Sequence, residues 1–258
     1  MGCSFPGWIR IYVIAAAGFI VLLIAGCGAM DEATEDEVSL SHYEHQQYAV
    51  TDTLDVDQEL ADLIMPYKRH IQQEMGRVLT HSEHGAQTGR PEGALGNFVA
   101  DLVRSHASAI AGRHIDIAVL NNDGFRASLP EGEITAAMIY EVMPFDNYIV
   151  LQQHTGEQIR EIADQIARAG GEPISGMRMQ IDENRATGVM IGAQQIAPDE
   201  TYWVATSSWM ANGGGDITVL HQPHYRERLQ ILIRDATVQY LDSRKSIAPE
   251  TDQRIRIQ

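Results

Sequence analysis

Apolar residues recur three or four apart over residues 56–78. Leu60, Ile64, Tyr67, Ile71, Met75 and Val78 share one stripe, which predicts a single amphipathic helix. Asp55 or Asp57 is placed to cap it, and Pro66 to bend it. A second helix is expected from Leu95 to Ala111, and a third from Gly156 to Ala169, stopped by Gly170-Gly171. Leu229–Leu241 reads as a last helix. Between them, the unbroken apolar run Ile115–Leu120 predicts a buried strand, as does Tyr148–Gln152. Met177–Ile181, Thr187–Ile191 and Tyr202–Thr206 alternate like strands of an antiparallel sheet, and Tyr48–Val50 and Ile255–Ile257 are short strand candidates. This mixture predicts an α+β fold: a single layered domain, residues 46–258, with helices packed on a mixed, largely antiparallel sheet.

The first 45 residues follow a different pattern. Ile11 to Met30 is an uncharged, mostly apolar run behind one cation, Arg10, as in a signal peptide or an anchor. It contains Leu23-Ile24-Ala25-Gly26-Cys27, which resembles a bacterial lipobox. That resemblance implies a signal peptide over 1–26, lipidation of Cys27 and an anchor on the cell envelope, with Gly28 compatible with the outer membrane. Residues 31–37 hold five acids and read as a solvated tether, so 27–45 is expected to be a lipidated acidic spacer.

Charge and cysteine count narrow the chemistry. The 258 residues carry 19 Lys and Arg against 35 Asp and Glu, a formal charge of −16. Such a field repels phosphate polymers, so no nucleic-acid polymer is expected as partner. The two cysteines, Cys3 and Cys27, leave residues 28–258 without a thiol. This excludes a disulfide framework, a Cys-bound zinc and a cysteine nucleophile from that part. The pairs His42/His45, His81/His84 and His221/His224 have metal-ligand spacing. None has carboxylates in a recognisable metal arrangement, so they read as solvated histidines, and no metal ligand is assigned.

Three loops concentrate the remaining polar chemistry. Asn121-Asn122-Asp123-Gly124-Phe125-Arg126 follows the first buried strand, with residues that turn sharply and a guanidinium able to grip a phosphate or carboxylate. Met143-Pro144-Phe145-Asp146-Asn147 precedes a strand and offers a flat ring beside an amide. Thr206-Ser207-Ser208-Trp209-Met210-Ala211-Asn212-Gly213-Gly214-Gly215-Asp216 joins an aromatic, a glycine-rich turn and an acid. Taken singly, each is also compatible with an ordinary turn, a core phenylalanine or a hairpin loop.

In this order, the three loops resemble the C-terminal domain of the 5′-nucleotidase family. Its motifs are Asn-x-x-Gly-x-Arg, Pro-Phe-x-Asn, and an aromatic followed by Ala-x-Gly-Gly-Asp. Leu95-Gly96-Asn97-Phe98-Val99-Ala100-Asp101 and Thr155-Gly156-Glu157-Gln158-Ile159 resemble two of its helix starts. The resemblance spans about residues 88–218. It implies that Phe145 and Trp209 sandwich a base, that Asn147 touches the base, and that Asn121, Gly124 and Arg126 line the phosphate side. Arg90 is implied as a second phosphate arginine, and Asp216 as the ribose acid. Trp209 stands where the family usually has Phe. Gly215 stands where the family has its acid, which moves Asp216 one place on.

The family's enzymes also carry a dimetal phosphatase domain, and its Asp-x-His and Gly-Asn-His motifs do not occur in this sequence. The resemblance therefore implies no catalytic residue and no cofactor in this chain. Divalent metals are expected only on a separate metallophosphatase partner, with this chain binding a nucleotide or nucleoside. The alternative is an envelope structural or interaction module that has kept the fold and lost the ligand.

Overall fold

The computed structural model describes residues 55–258. The signal, the tether, Cys27, His42/His45 and the Tyr48–Val50 strand lie outside the described residues, and Asp57–Gln258 forms one compact unit.

Helix α1, Gln58–Met75, is capped by Asp57, whose carboxylate accepts from the Leu60 amide at 3.1 Å. Strand β1, Val78–Ser82, pairs antiparallel with β3, Gly132–Thr135, and parallel with β11, Ser246–Ile247. Helix α2, Ala94–Ala111, leads to β2, Ile117–Val119, which is buried on both faces as its apolar run predicts. Helix α3, Ala136–Val142, is followed by β4, Tyr148–Thr155, and α4, Gly156–Arg168.

The central sheet has five strands in the order β10-β4-β9-β2-β5, with β5 Ile174–Ser175, β9 Thr201–Ser207 and β10 Tyr225–Leu232. Alternate residues of its strands enter opposite cores. Ala118, Leu120, Ile149 and Leu151 face one core, with α2 and α6, Ile233–Asp242. Ile117, Val119 and Val204 face the other, with α4. That second core is closed by a further sheet, β12-β6-β7-β8. Here β6, Met177–Asp182, turns Met177, Met179 and Ile181 inward, while β7, β8 and β12 span Arg185–Ile191, Gln194–Gln195 and Ile255–Ile257.

The fold is thus the expected α+β arrangement of helices on mixed sheets, with three differences of detail. Two helices are shorter than expected: the first stops at Met75, with Val78 opening β1, and Leu229–Leu232 extends a strand, so the last helix begins only at Ile233. The three alternating segments divide between two sheets, because β9 inserts between β4 and β2. Finally, β2 runs parallel to β9 and β12 parallel to β6. Strand order and direction are set by non-local pairing, to which the period-two pattern is blind.

The two helix-start motifs are structural. Thr155 and Gln158 form a reciprocal capping box on α4. A Cβ on Gly156 would lie 2.0 Å from the Ala197 carbonyl oxygen, so only glycine fits there. In α2, Gly96 packs on Pro173, and Asp101 takes both arms of the Arg254 guanidinium at 2.9 Å, fixing the C-terminal tail.

Candidate functional site

The three loops meet at one end of the central strands, after β2 and β9 and before the antiparallel β4. The first leaves β2 and forms a single 3-10 turn, Asn122–Gly124, with Gly124 N–H donating to the Asn121 carbonyl at 3.1 Å. The Arg126 N–H then donates to the Val142 carbonyl at 2.9 Å, joining this loop to the end of α3, where the second loop starts. The second loop is pinned from α6. Arg234, 8% exposed, donates to the Met143 carbonyl at 3.2 Å and to Asp146 Oδ1 at 2.6 Å, and Ile233 N–H donates to the Asn147 carbonyl at 2.8 Å. The Arg234 guanidinium also lies 4.3 Å from the Tyr140 ring centroid.

The third loop begins with a one-turn helix, α5, Ser208–Ala211, capped by the Ser207 hydroxyl. The Trp209 indole rests on the glycine backbone behind it. A Cβ on Gly214 would fall 2.2 Å from indole Cδ2, and one on Gly215 would fall 3.2 Å from Cζ3. Gly213 and Gly215 have φ of +104° and +74°, the left-handed region that glycine enters without cost.

Between the loops lies an open cleft of about 510 Å³, lined by Asn121, Asp123, Gly124, Arg126, Phe145, Asn147 and Trp209. Six of the eight expected ligand-side residues share this one space. Phe145 and Trp209 are 43% and 44% exposed, although each loop is firmly anchored. Apolar rings held toward solvent cost hydration free energy, and a planar ligand between them would remove that cost. Arg126 lies over the Phe145 ring, 5.1 Å from its centroid, so a positive group borders the stacking face. A small recess of about 30 Å³ beside Asn121, Phe145 and Asn147 continues toward Met143, Ser207 and Ile233.

Arg90 and Asp216 are outside this lining. The Arg90 Nε donates to the Ala169 carbonyl at 2.7 Å, and Nη2 to Glu172 Oε1 at 2.6 Å. Glu172 is nearly buried, and its Oε2 accepts from the Asn122 N–H at 2.6 Å and from the Asn122 amide at 3.0 Å. Arg90 therefore grips the back of the first loop through a carboxylate. Burial pushes the Glu172 carboxyl above the usual range, against the opposing pull of the Asn122 N–H and Arg90. Asp216 is exposed, one residue past the glycine turn on which the indole rests.

Glu172 and Arg234 are anchors that the sequence reading did not identify. Nothing in the local pattern marks Glu172, which follows a glycine pair. Arg234 sits inside what reads as one long helix. Among the described residues, no group of three or more His, Asp or Glu side chains is placed to hold a metal ion. No described helix is long and apolar enough to cross a membrane.

The family model described as "5′-nucleotidase, C-terminal domain" matches residues 75–222. A 5′-nucleotidase of Vibrio parahaemolyticus is 25% identical over 179 residues, 66% of this chain and 31% of that protein. The trifunctional nucleotide phosphoesterase protein YfkN of Bacillus subtilis is 28% identical over 63% of this chain and 12% of its own length. Among solved structures, a 5′-nucleotidase precursor from Thermus thermophilus superposes with a TM-score of 0.67 at 26% identity. It covers 78% of this chain and 43% of that one. The NAD nucleotidase of Haemophilus influenzae shares the fold, with a TM-score of 0.64 at 15% identity, over 79% of this chain and 42% of that one. The chain thus spans a third or less of these curated relatives. With its motif-bearing loops brought to one cleft and more than half its length matched, the chain belongs to the 5′-nucleotidase C-terminal domain family.

Proposed function

We propose that this chain binds a nucleotide or nucleoside in the cleft and supplies the substrate grip for a separate metallophosphatase chain in nucleotide catabolism. Phe145 and Trp209 sandwich the base, Asn147 reads its edge, and Asn121, Gly124 and Arg126 take the phosphate side. Stacking on one aromatic face contributes about 1–3 kcal/mol, so two faces dominate the affinity. The observation that carries this reading is the convergence of Phe145, Trp209 and Arg126 on one open cleft. Divalent metals and water activation belong, in this proposal, to the partner. The chain is exported and held on the cell envelope by lipid on Cys27.

Calorimetric titration with AMP and adenosine tests the binding. Both ligands should bind the wild type, and Phe145→Ala or Trp209→Ala should each abolish or strongly weaken that binding. Arg126→Ala should weaken AMP more than adenosine. Release of phosphate from AMP by this chain alone, with divalent metal added, would overturn the division of labour.

A second reading rests on Gly215 and Asp216. With glycine in the position of the family's acid and Asp216 outside the cleft lining, the domain serves as an envelope interaction module without a nucleotide ligand. Failure of both AMP and adenosine to bind the wild type favours that reading.

A further inference from the structure

Helix α1 is amphipathic, yet none of its 18 residues is buried, and only Ala61 and Met75 are partly covered. Its apolar positions Leu60, Ile64, Tyr67 and Ile71 are 56%, 51%, 71% and 57% exposed. Four large side chains in one exposed row are a contiguous apolar surface of the kind that marks an interaction face. Their spacing is four, three, four residues, which is the a/d repeat of a helix-on-helix seam. Pro66, inside the helix, lies off that seam.

Charge along the helix indicates what covers the seam. Asp57, Glu59 and Asp62 make its first half acidic, while in its second half Lys68 and Arg69 outweigh Glu74 and face Asp62 and its neighbours in an antiparallel copy. A copy of the same helix laid antiparallel sets the acidic half beside the basic half, whereas a parallel copy sets like against like. The row is also self-complementary in the antiparallel sense. Leu60 meets Ile71 of the second copy, and Ile64 meets its Tyr67, twice over by two-fold symmetry. We propose that α1 is the dimerisation surface of this protein, pairing antiparallel with a second copy through Leu60, Ile64, Tyr67 and Ile71. At about 1.5 Å per residue the helix is about 27 Å long, enough for four layers. The next layer at each end sets Asp57 against Glu74, so the seam stops there and the dimer is of modest affinity.

Sedimentation of the full chain in a mild, density-matched detergent tests this. The expected result is a monomer–dimer equilibrium in the micromolar range. Ile64→Glu with Ile71→Glu should raise the dissociation constant by about 100-fold or more, since each change acts twice. The helix contributes nothing buried to the domain, so thermal unfolding of the domain should be unchanged. Glu74→Lys supplies the gain-of-affinity arm: opposite Asp57 of an antiparallel copy it should tighten the dimer several-fold, whereas in a parallel pair it would face its own copy and give no gain. A chain that stays monomeric well above micromolar concentration overturns the proposal, whether residues 1–54 or a metallophosphatase chain covers the face instead. So does a dimer indifferent to the Ile64 and Ile71 changes, or one not tightened by Glu74→Lys.

Discussion

The two aromatic arms of the cleft present equally exposed rings but are held by different means. Phe145 sits on a loop clamped by charge, with Arg234 reaching from α6 to Asp146 and the Met143 carbonyl. Trp209 sits on a loop clamped without an ion pair: Arg226 donates to the Ala211 carbonyl at 3.0 Å and to Asn212 Oδ1 at 2.6 Å, both neutral acceptors. Its indole lies on the Gly214–Gly215 backbone, and the chain beyond is fixed by amides. Gln152 donates to the Leu220 carbonyl at 2.8 Å, Gln165 donates to Thr218 Oγ1 at 3.0 Å, and His154 lies 2.9 Å from Gln152 Oε1. One arm therefore depends on an ion pair with a solvated end, the other on close backbone approach, a guanidinium on neutral acceptors and an uncharged histidine.

The packing of the indole on the glycine turn connects the two departures from the family motif. An indole is larger than a phenyl ring, and its Cζ3 edge reaches the space that a side chain at 215 would enter. Tryptophan at 209 and glycine at 215 are thus sterically matched, and the acid stands at the exposed position 216.

The largest effect expected is on the Trp209 side. Burial holds the His154 imidazole down to about 4, with the nearby Gln158 side chain opposing it and His224 adding repulsion. Its folded value is below the unfolded 6.5, so the unfolded state takes up the proton first. Stability from this group is present above pH 6.5 and is lost as pH falls toward 4, by about 3 kcal/mol. Urea unfolding at several pH values should show that slope in the wild type and a flatter profile in His154→Asn. Equal slopes would mean that the histidine does not control this side.

The charged clamp should be asymmetric. Arg234→Met removes a buried guanidinium and leaves the Met143 carbonyl without that donor, a cost of about 2–3 kcal/mol. Asp146 is mostly solvated, so Asp146→Asn should cost about 1 kcal/mol or less. Equal losses in thermal melts would break the picture of a clamp working mainly from the buried end. Next in size, Gly214→Ala forces the indole off its seat. Nucleoside affinity should fall roughly 10- to 100-fold, the worth of one stacking face, with a shifted tryptophan emission and little loss of stability. The matching change on the other arm, Phe145→Ala, should give a similar affinity loss without the emission shift.

Much of this was legible in the sequence because glycines, prolines and aromatics in ordered motifs report local geometry. Six cleft residues follow from the family resemblance of three short loops, and the helix start at Thr155-Gly156 from the same resemblance. The anchors were not legible. Glu172 lies about 50 residues from the Asn122 it holds, and Arg234 about 88 from Asp146. Such pairs arise from sheet order, and a period-two or period-3.6 pattern carries no information about which strand neighbours which. Arg90 illustrates the same limit. Its motif implies a phosphate ligand, while the fold gives its guanidinium to Glu172 and the Ala169 carbonyl.

Glu172 provides the smallest effect and the sharpest contrast with His154, because the two groups slope in opposite directions. Burial raises the Glu172 carboxyl above 4.5, so the folded state holds its proton to higher pH than the unfolded chain does. The stability linked to that proton is fully present below 4.5 and is lost as pH rises through the folded value. Glu172→Gln mimics the protonated form and keeps an acceptor for the Asn122 N–H, so it should unfold like the wild type in acid. Moving toward neutral pH, the variant should gain on the wild type, because it carries no buried charge. Its Arg90 would lose the ion pair, but that side chain is 44% exposed and water replaces the carboxylate at little cost. A variant that loses ground at neutral pH would show instead that the ion pair outweighs the burial of the charge. The first loop would then be held by the same charged logic as the Phe145 arm.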